Sequence, residues 1–187
     1  LRIALSGPPG SGKTTIARRS ADLLKSLGCR PLGFYTPEVR ESGRRTGFLV
    51  EDLETGETVW LARRGLPSKY RVGSYGIYEE AGKFLCNILD RTVEAEIIVI
   101  DEIGPMELVF PCVRTRLSRL LSHEEQSFLI VYHRRLREKY PGLHRLITGK
   151  AIVFWVSVES RSKVWADVKR RIEEFCSARR GGSNGSE

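Results

Sequence analysis

The chain has 187 residues, of which 41% are hydrophobic and 29% charged, and a formal net charge of +8 at pH 7. These values suit one globular domain with a sizeable core. They exclude a membrane-spanning chain, because no apolar run approaches the ~18 residues a bilayer helix needs; with no secretory signal at the N-terminus, a cytoplasmic place is expected.

The elements follow in chain order. Residues 2–6 (RIALS) form a short apolar run that predicts a buried strand. Residues 13–28 carry Ile16, Ser20, Leu23, Leu24 and Leu27 near helical spacing, with Gly28 as a stop. A second strand is expected over 31–39. Residues 46–53 and 57–62 are separated by Glu54-Thr55-Gly56, a hairpin signal, so an antiparallel addition is placed at about 31–62. Residues 75–91 predict a helix with Ile77, Ala81, Phe84, Leu85 and Ile88 on one face. Residues 95–101 are a continuous apolar run ending in acid, as a central parallel strand reads. A helix over 107–122, bent or started at Pro111, precedes a strand at 127–132, a last strand at 151–158 and a last helix at 161–180. The domain is placed at 1–178 and a flexible tail at 179–187. Together these elements predict a three-layer α/β fold with a mainly parallel central sheet.

The basic residues are spread along the chain, so solvated helix faces account for most of them. The residual positive field also suits phosphate-bearing small molecules. Cys29, Cys86, Cys112 and Cys176 show no Cys-x-x-Cys spacing, and buried or free thiols are expected. His123, His133 and His144 form no metal-ligand spacing.

The chemistry concentrates at Gly7-Pro8-Pro9-Gly10-Ser11-Gly12-Lys13-Thr14, a full Walker A pattern between a strand and a helix. Gly7, Gly10 and Gly12 let the backbone wrap phosphates with its N–H groups inward. The following helix presents its positive end to the same place. Lys13 is assigned to the β and γ phosphates, the Thr14 hydroxyl to Mg²⁺, and Thr15 to an α-phosphate oxygen. Asp101, ending the apolar strand, is the Walker B acid and the second metal-site residue. Glu102 follows directly; a carboxylate there can polarise a water for in-line attack on the γ-phosphate. His133, at the end of the next strand, is a candidate phosphate sensor. Arg40, Arg44, Arg45 and Arg71, all read as loop residues, are candidates for neutralising transition-state charge.

At these residues the chain resembles the small P-loop nucleoside-triphosphatases of thermophilic archaea and bacteria, a family that includes the human cancer-related nucleoside-triphosphatase. The likeness rests on SGPPGSGKTT (6–15), GFYTPEVRESGRRTGFLVEDL (33–53), RVGSYGI (71–77), IIVIDEIGPMEL (97–108) and VSVESR (156–161). It implies a RecA-like fold of the ASCE type, in which an added strand separates the Walker A and Walker B strands. It also implies slow, Mg²⁺-dependent hydrolysis of ATP, GTP and other nucleoside triphosphates. Carried over by position, the nucleotide site takes in Asp101, Glu102, Ile103 and Gly104. Arg40 closes the second motif, and Arg161 lies near the nucleobase. Pro105 stands where the family usually has Lys, and Ser160 where it usually has Asn.

Three outcomes for the bound phosphate stay open from the residues. Hydrolysis is favoured by Glu102. A nucleotide or nucleoside kinase would need an acceptor pocket and an arginine-rich lid. A nucleic-acid-linked ATPase is motivated by the charge alone, without an RNA-binding signature. The expected partners are nucleoside triphosphates, with no membrane and a monomeric chain.

Overall fold

In the computed structural model, which describes residues 1–182, the longest apolar runs become the central strands. Their residues alternate between two cores. Ala4, Ile98, Ile100, Phe128 and Ile130 point to one face of the sheet. Ile3, Leu5, Ile97, Val99, Leu129 and Val131 point to the other. A strand buried on both faces has no polar alternation to show, which is why these runs read as continuous. Each fully buried Leu or Ile here contributes about 1.5–3 kcal/mol.

The strands are β1 (Arg2–Ser6), β2 (Pro31–Tyr35), β3 (Glu38–Glu41), β4 (Arg44–Asp52), β5 (Thr58–Arg64), β6 (Arg71–Val72), β7 (Tyr75–Ile77), β8 (Ile97–Ile103), β9 (Phe128–Tyr132) and β10 (Ile152–Trp155). The helices are α1 (Lys13–Ser26), α2 (Glu79–Arg91), α3 (Pro111–Ser122), α4 (Leu136–Lys139), α5 (Pro141–Thr148) and α6 (Arg161–Gly182). One sheet runs in the order β10-β1-β9-β8-β2-β4-β5-β7-β6, with β3 paired to β4. The first five are parallel neighbours and the rest antiparallel. Helices α1 and α6 cover one face, through Ile16, Leu24, Val168 and Ile172. Helices α2, α3 and α5 cover the other, through Leu85, Ile88, Val113, Leu117 and Ile147. This is the expected three-layer α/β arrangement. β9 lies between β1 and β8, the added strand of the ASCE type. No helix among the described residues is long and apolar enough to cross a membrane.

Several boundaries differ from the sequence reading. The strand expected over 31–39 breaks at Thr36-Pro37, because proline has no N–H for the ladder. Residues 31–35 belong to the parallel sheet, and the antiparallel addition runs instead from β3 to β7, well past residue 62. Arg40, Arg44, Arg45 and Arg71 therefore sit on strands, not loops. Residues 75–77 are a strand paired with β5, Ile77 opposite Ala62, and the helix starts at Glu79; the Ile77–Ala81 spacing fits either assignment locally. Pro111 is at the start of α3, where its missing N–H costs nothing. The last strand stops at Trp155 rather than running to 158. The short helices α4 and α5 had no counterpart in the sequence reading. Helix α6 continues to Gly182, through the first residues of the expected tail, whose remainder at 183–187 lies outside the described residues.

The cysteines correct the thiol expectation. Cys29 is bonded to Cys176 and Cys86 to Cys112, with Cα–Cα distances of 6.5 and 6.4 Å. The second joins the neighbouring helices α2 and α3; the first joins the segment after α1 to α6, which packs on α1. The pairs are 147 and 26 residues apart in sequence, so local spacing carries no sign of them.

Candidate active site

Parallel strands end together, and the C-terminal ends of β1, β9 and β8 bring three segments to one edge: the glycine loop, His133 and Asp101-Glu102. The loop owes its shape to its glycines. Gly7 has φ +151°, and a Cβ there would sit 2.1 Å from the Val156 carbonyl oxygen. No other residue fits without moving the backbone. Gly10 and Gly12 also take positive φ, and Gly12 is the N-cap of α1. The buried Lys13 ammonium donates to the Gly7 and Pro8 carbonyls at 3.0 and 2.8 Å, which curls the loop around it. The Ser11 hydroxyl is buried in the loop with no hydrogen-bond partner in the protein, and suits an acceptor oxygen supplied by a ligand.

Asp101 is 4% exposed. Burial raises its pKa, opposed by a hydrogen bond with Thr14 and the charges of Lys13 and Arg18. Burial lowers the pKa of Lys13, opposed by Glu102 and Asp101, with Arg134 adding to the depression. Burial and the neighbouring Asp101 push Glu102 up to about 7, with Lys13 opposing. Thr14 and Asp101 are oxygen donors suited to a hard cation. No group of three or more His, Cys, Asp or Glu among the described residues is placed to hold a metal. That donor set fits Mg²⁺, which takes few protein ligands and shares phosphate oxygens and water.

The other expected residues divide. Thr15 is exposed on the first turn of α1. Arg161 reaches the loop, its Cδ 3.4 Å from where a Gly12 Cβ would stand. His133 packs its Cβ near Gly104, and its Nδ1 accepts the Arg135 N–H at 3.2 Å. Burial, then Arg134, Arg135 and Lys13, lower its pKa and favour the neutral ring. Ile103 packs its side chain, fully buried, into the core, and its carbonyl accepts the His133 N–H at 2.9 Å. Arg40 is tied within the β3–β4 hairpin, to Glu38 at 2.5 Å and the Gly43 carbonyl at 3.0 Å.

A profile of the NTPase family matches residues 2–169. The chain belongs to this family. Among NTPase-family relatives, the nucleoside-triphosphatase THEP1 of Ignicoccus hospitalis is 36% identical over 173 residues, covering 92% of this chain and 97% of that protein. The crystal structure of THEP1 from Aquifex aeolicus superposes with a TM-score of 0.76 at 29% identity, covering 90% of this chain and 96% of that one. The solution structure of a human cancer-related nucleoside triphosphatase gives 0.75 at 32% identity, covering 92% and 97%.

In this NTPase-family chain three further residues reach the site that sequence reasoning did not single out there. Arg134 acts on Lys13 through its charge. Thr36 hydrogen-bonds the backbone of Asp101 and Glu102. Glu107 is a buried carboxyl behind Glu102. Thr36 and Glu107 each stand inside a quoted motif, but only sheet order brings them to the same strand end.

Proposed function

We propose that this chain hydrolyses nucleoside triphosphates to the diphosphate and inorganic phosphate, with Mg²⁺ and little base preference. One nucleotide-binding unit over residues 1–178 does this as a monomer, in the cytoplasm. The observation that carries the reading is Glu102, a carboxylate held next to the Walker B aspartate and within the field of Lys13, at the strand ends that border the glycine loop. Its pKa near 7 suits a group that must take a proton and return it. The loop amides and Lys13 hold the β and γ phosphates. Glu102 orients a water and takes its proton as the oxygen attacks the γ-phosphorus in line. The bond to the β–γ bridging oxygen breaks, and the diphosphate leaves with that electron pair. Mg²⁺ held by Thr14 and Asp101 supplies charge neutralisation on the phosphates when bound.

Broad base tolerance is supported by the loop beside the P-loop. There Ser157 and Ser160 satisfy one another, Ser157 N–H to Ser160 Oγ at 2.9 Å and Ser160 N–H to Ser157 Oγ at 3.2 Å. Val158 between them is 58% exposed. Neither serine is then free to read a base edge. Arg40, tied into its hairpin, is a weak choice for transition-state charge; Arg134 and Arg161 are better placed.

The test is phosphate release from a panel of nucleoside tri- and diphosphates, with and without Mg²⁺, an acceptor nucleoside and single-stranded RNA. Steady Mg²⁺-dependent release from several triphosphates alone supports the reading. Release or transfer only when the nucleoside is present makes the protein a kinase and overturns it. Release only with RNA points to a nucleic-acid-linked ATPase.

A further inference from the structure

The mechanism above leaves the buried Glu107 without a task. Glu107 is 4% exposed, and a buried carboxyl is costly unless it is hydrogen-bonded. Its Oε2 accepts the Gly104 N–H at 2.9 Å, and its own backbone N–H and the Thr36 hydroxyl favour its ionised form. Thr36 follows β2, next to Tyr35, which is in register with Asp101 of β8. Its Oγ1 accepts the Glu102 N–H at 3.0 Å and lies 3.2 Å from the Asp101 carbonyl oxygen. That carbonyl already accepts the Thr36 backbone N–H. The hydroxyl has one proton to give, which the Asp101 carbonyl is placed to accept.

The consequence is local and specific. Of the amides around Glu102, its own N–H is held by Thr36 and that of Gly104 by Glu107. Glu102 and Ile103 are thereby bracketed by two anchored amides, one held by Thr36 after β2 and the other by Glu107 in the turn after β8. Gly104 leaves room for both carboxyls: a Cβ there would lie 3.1 Å from Glu102 Oε1 and 3.2 Å from Glu107 Oε2. A side chain at 104 would push one of them aside.

We propose that Thr36 and Glu107 form a positioning pair, one holding the Glu102 amide from the end of β2 and the other the Gly104 amide from the turn after β8, which together fix where the Glu102 carboxylate stands. The proposal rests on the reading of Glu102 as the base. Neither residue touches the substrate; both act through Glu102. A displacement of about 1 Å at a reacting group can cost about 10²-fold in rate.

The experiment compares Thr36→Val, Thr36→Ser, Glu107→Leu, Glu102→Gln and the double variant Thr36→Val/Glu102→Gln. For each, kcat, KM for Mg-ATP, affinity for a non-hydrolysable triphosphate and the melting temperature are measured. Thr36→Val keeps the shape and loses the hydroxyl; kcat is expected to fall about 10–100-fold with affinity within about twofold of the parent. Thr36→Ser restores kcat to within about threefold. Glu107→Leu lowers kcat in the same way. In the Glu102→Gln background, Thr36→Val produces no further drop, because there is no base left to place. If Thr36→Val lowers kcat equally in both backgrounds, the residue acts otherwise and the proposal fails. It also fails if Thr36→Val keeps the parent kcat, or if Thr36→Ser melts like the parent yet does not recover. A Glu102→Gln variant that turns over at the parent rate overturns the base assignment itself, a result separate from the others.

Discussion

Replacing Glu107 by Gln converts a buried acid into a neutral isostere and isolates its titration. Glu107 has the fully buried surroundings described above, facing Glu102, the Thr36 hydroxyl and the Gly104 N–H, with His133 packed on the other side of Gly104. Burial first, then the Glu102 charge, push its pKa from the ordinary 4.5 to about 8. A carboxyl whose pKa rises on folding binds more protons in the native state. Its favourable contribution is complete below about 4.5 and lost as pH rises through about 8. Between pH 5 and pH 9 this amounts to about 4 kcal/mol, at about 1.4 kcal/mol per pKa unit. Gln has no such dependence. Urea unfolding of the parent and Glu107→Gln at pH 5, 7 and 9 reads the difference, and titrations common to both proteins cancel. With a urea m-value of about 2 kcal/mol/M, the midpoint of the variant relative to the parent should rise by about 2 M from pH 5 to pH 9. Parallel pH profiles for the two proteins would show that Glu107 does not titrate as a buried acid, and the reasoning would be refuted.

Further outcomes are expected. Glu102→Gln should lower kcat by about 10²–10⁴-fold and leave triphosphate affinity within about threefold, measured by phosphate release and equilibrium binding. In the parent enzyme kcat/KM should rise with pH through about 7, because Glu102 must be ionised to accept a proton; in the Gln variant that limb should be absent. Arg40→Ala should leave kcat within about twofold, since its guanidinium is engaged by Glu38 and Gly43; a tenfold loss would restore it as a transition-state group. Cys29→Ser should destabilise by about 2–5 kcal/mol by opening a long covalent loop, lowering the melting temperature by about 5–15 °C. A melting temperature unchanged by both this variant and full reduction would contradict a stabilising bond.

The comparison of sequence and structure is instructive at particular places. The glycine loop was legible because each part of its shape is local: glycines at positive φ, a strand before and a helix after. The apolar runs at 2–6, 97–101 and 128–132 were legible because burial on both faces demands it. At Arg40 a motif position says which residue is present and not what holds it; Glu38, two residues away, pairs with its guanidinium. At Ile103 the pairing of β8 with β9 shifts register after Asp101, so its side chain joins the core of Ile98 and Ile100, which strict alternation would not give.

By itself the sequence determined a phosphate-binding loop, a mainly parallel α/β sheet and an acidic pair at the end of a central strand. These depend on backbone freedom, apolar periodicity and adjacency along the chain. Tertiary structure alone decided which cysteines pair, which arginine lies over Gly12, and that Thr36 and Glu107 both reach the Asp101-Glu102 strand end. These contacts depend on the order in which parallel strands lie side by side. That order is set by the packing of both sheet faces together, and no short stretch of residues encodes it.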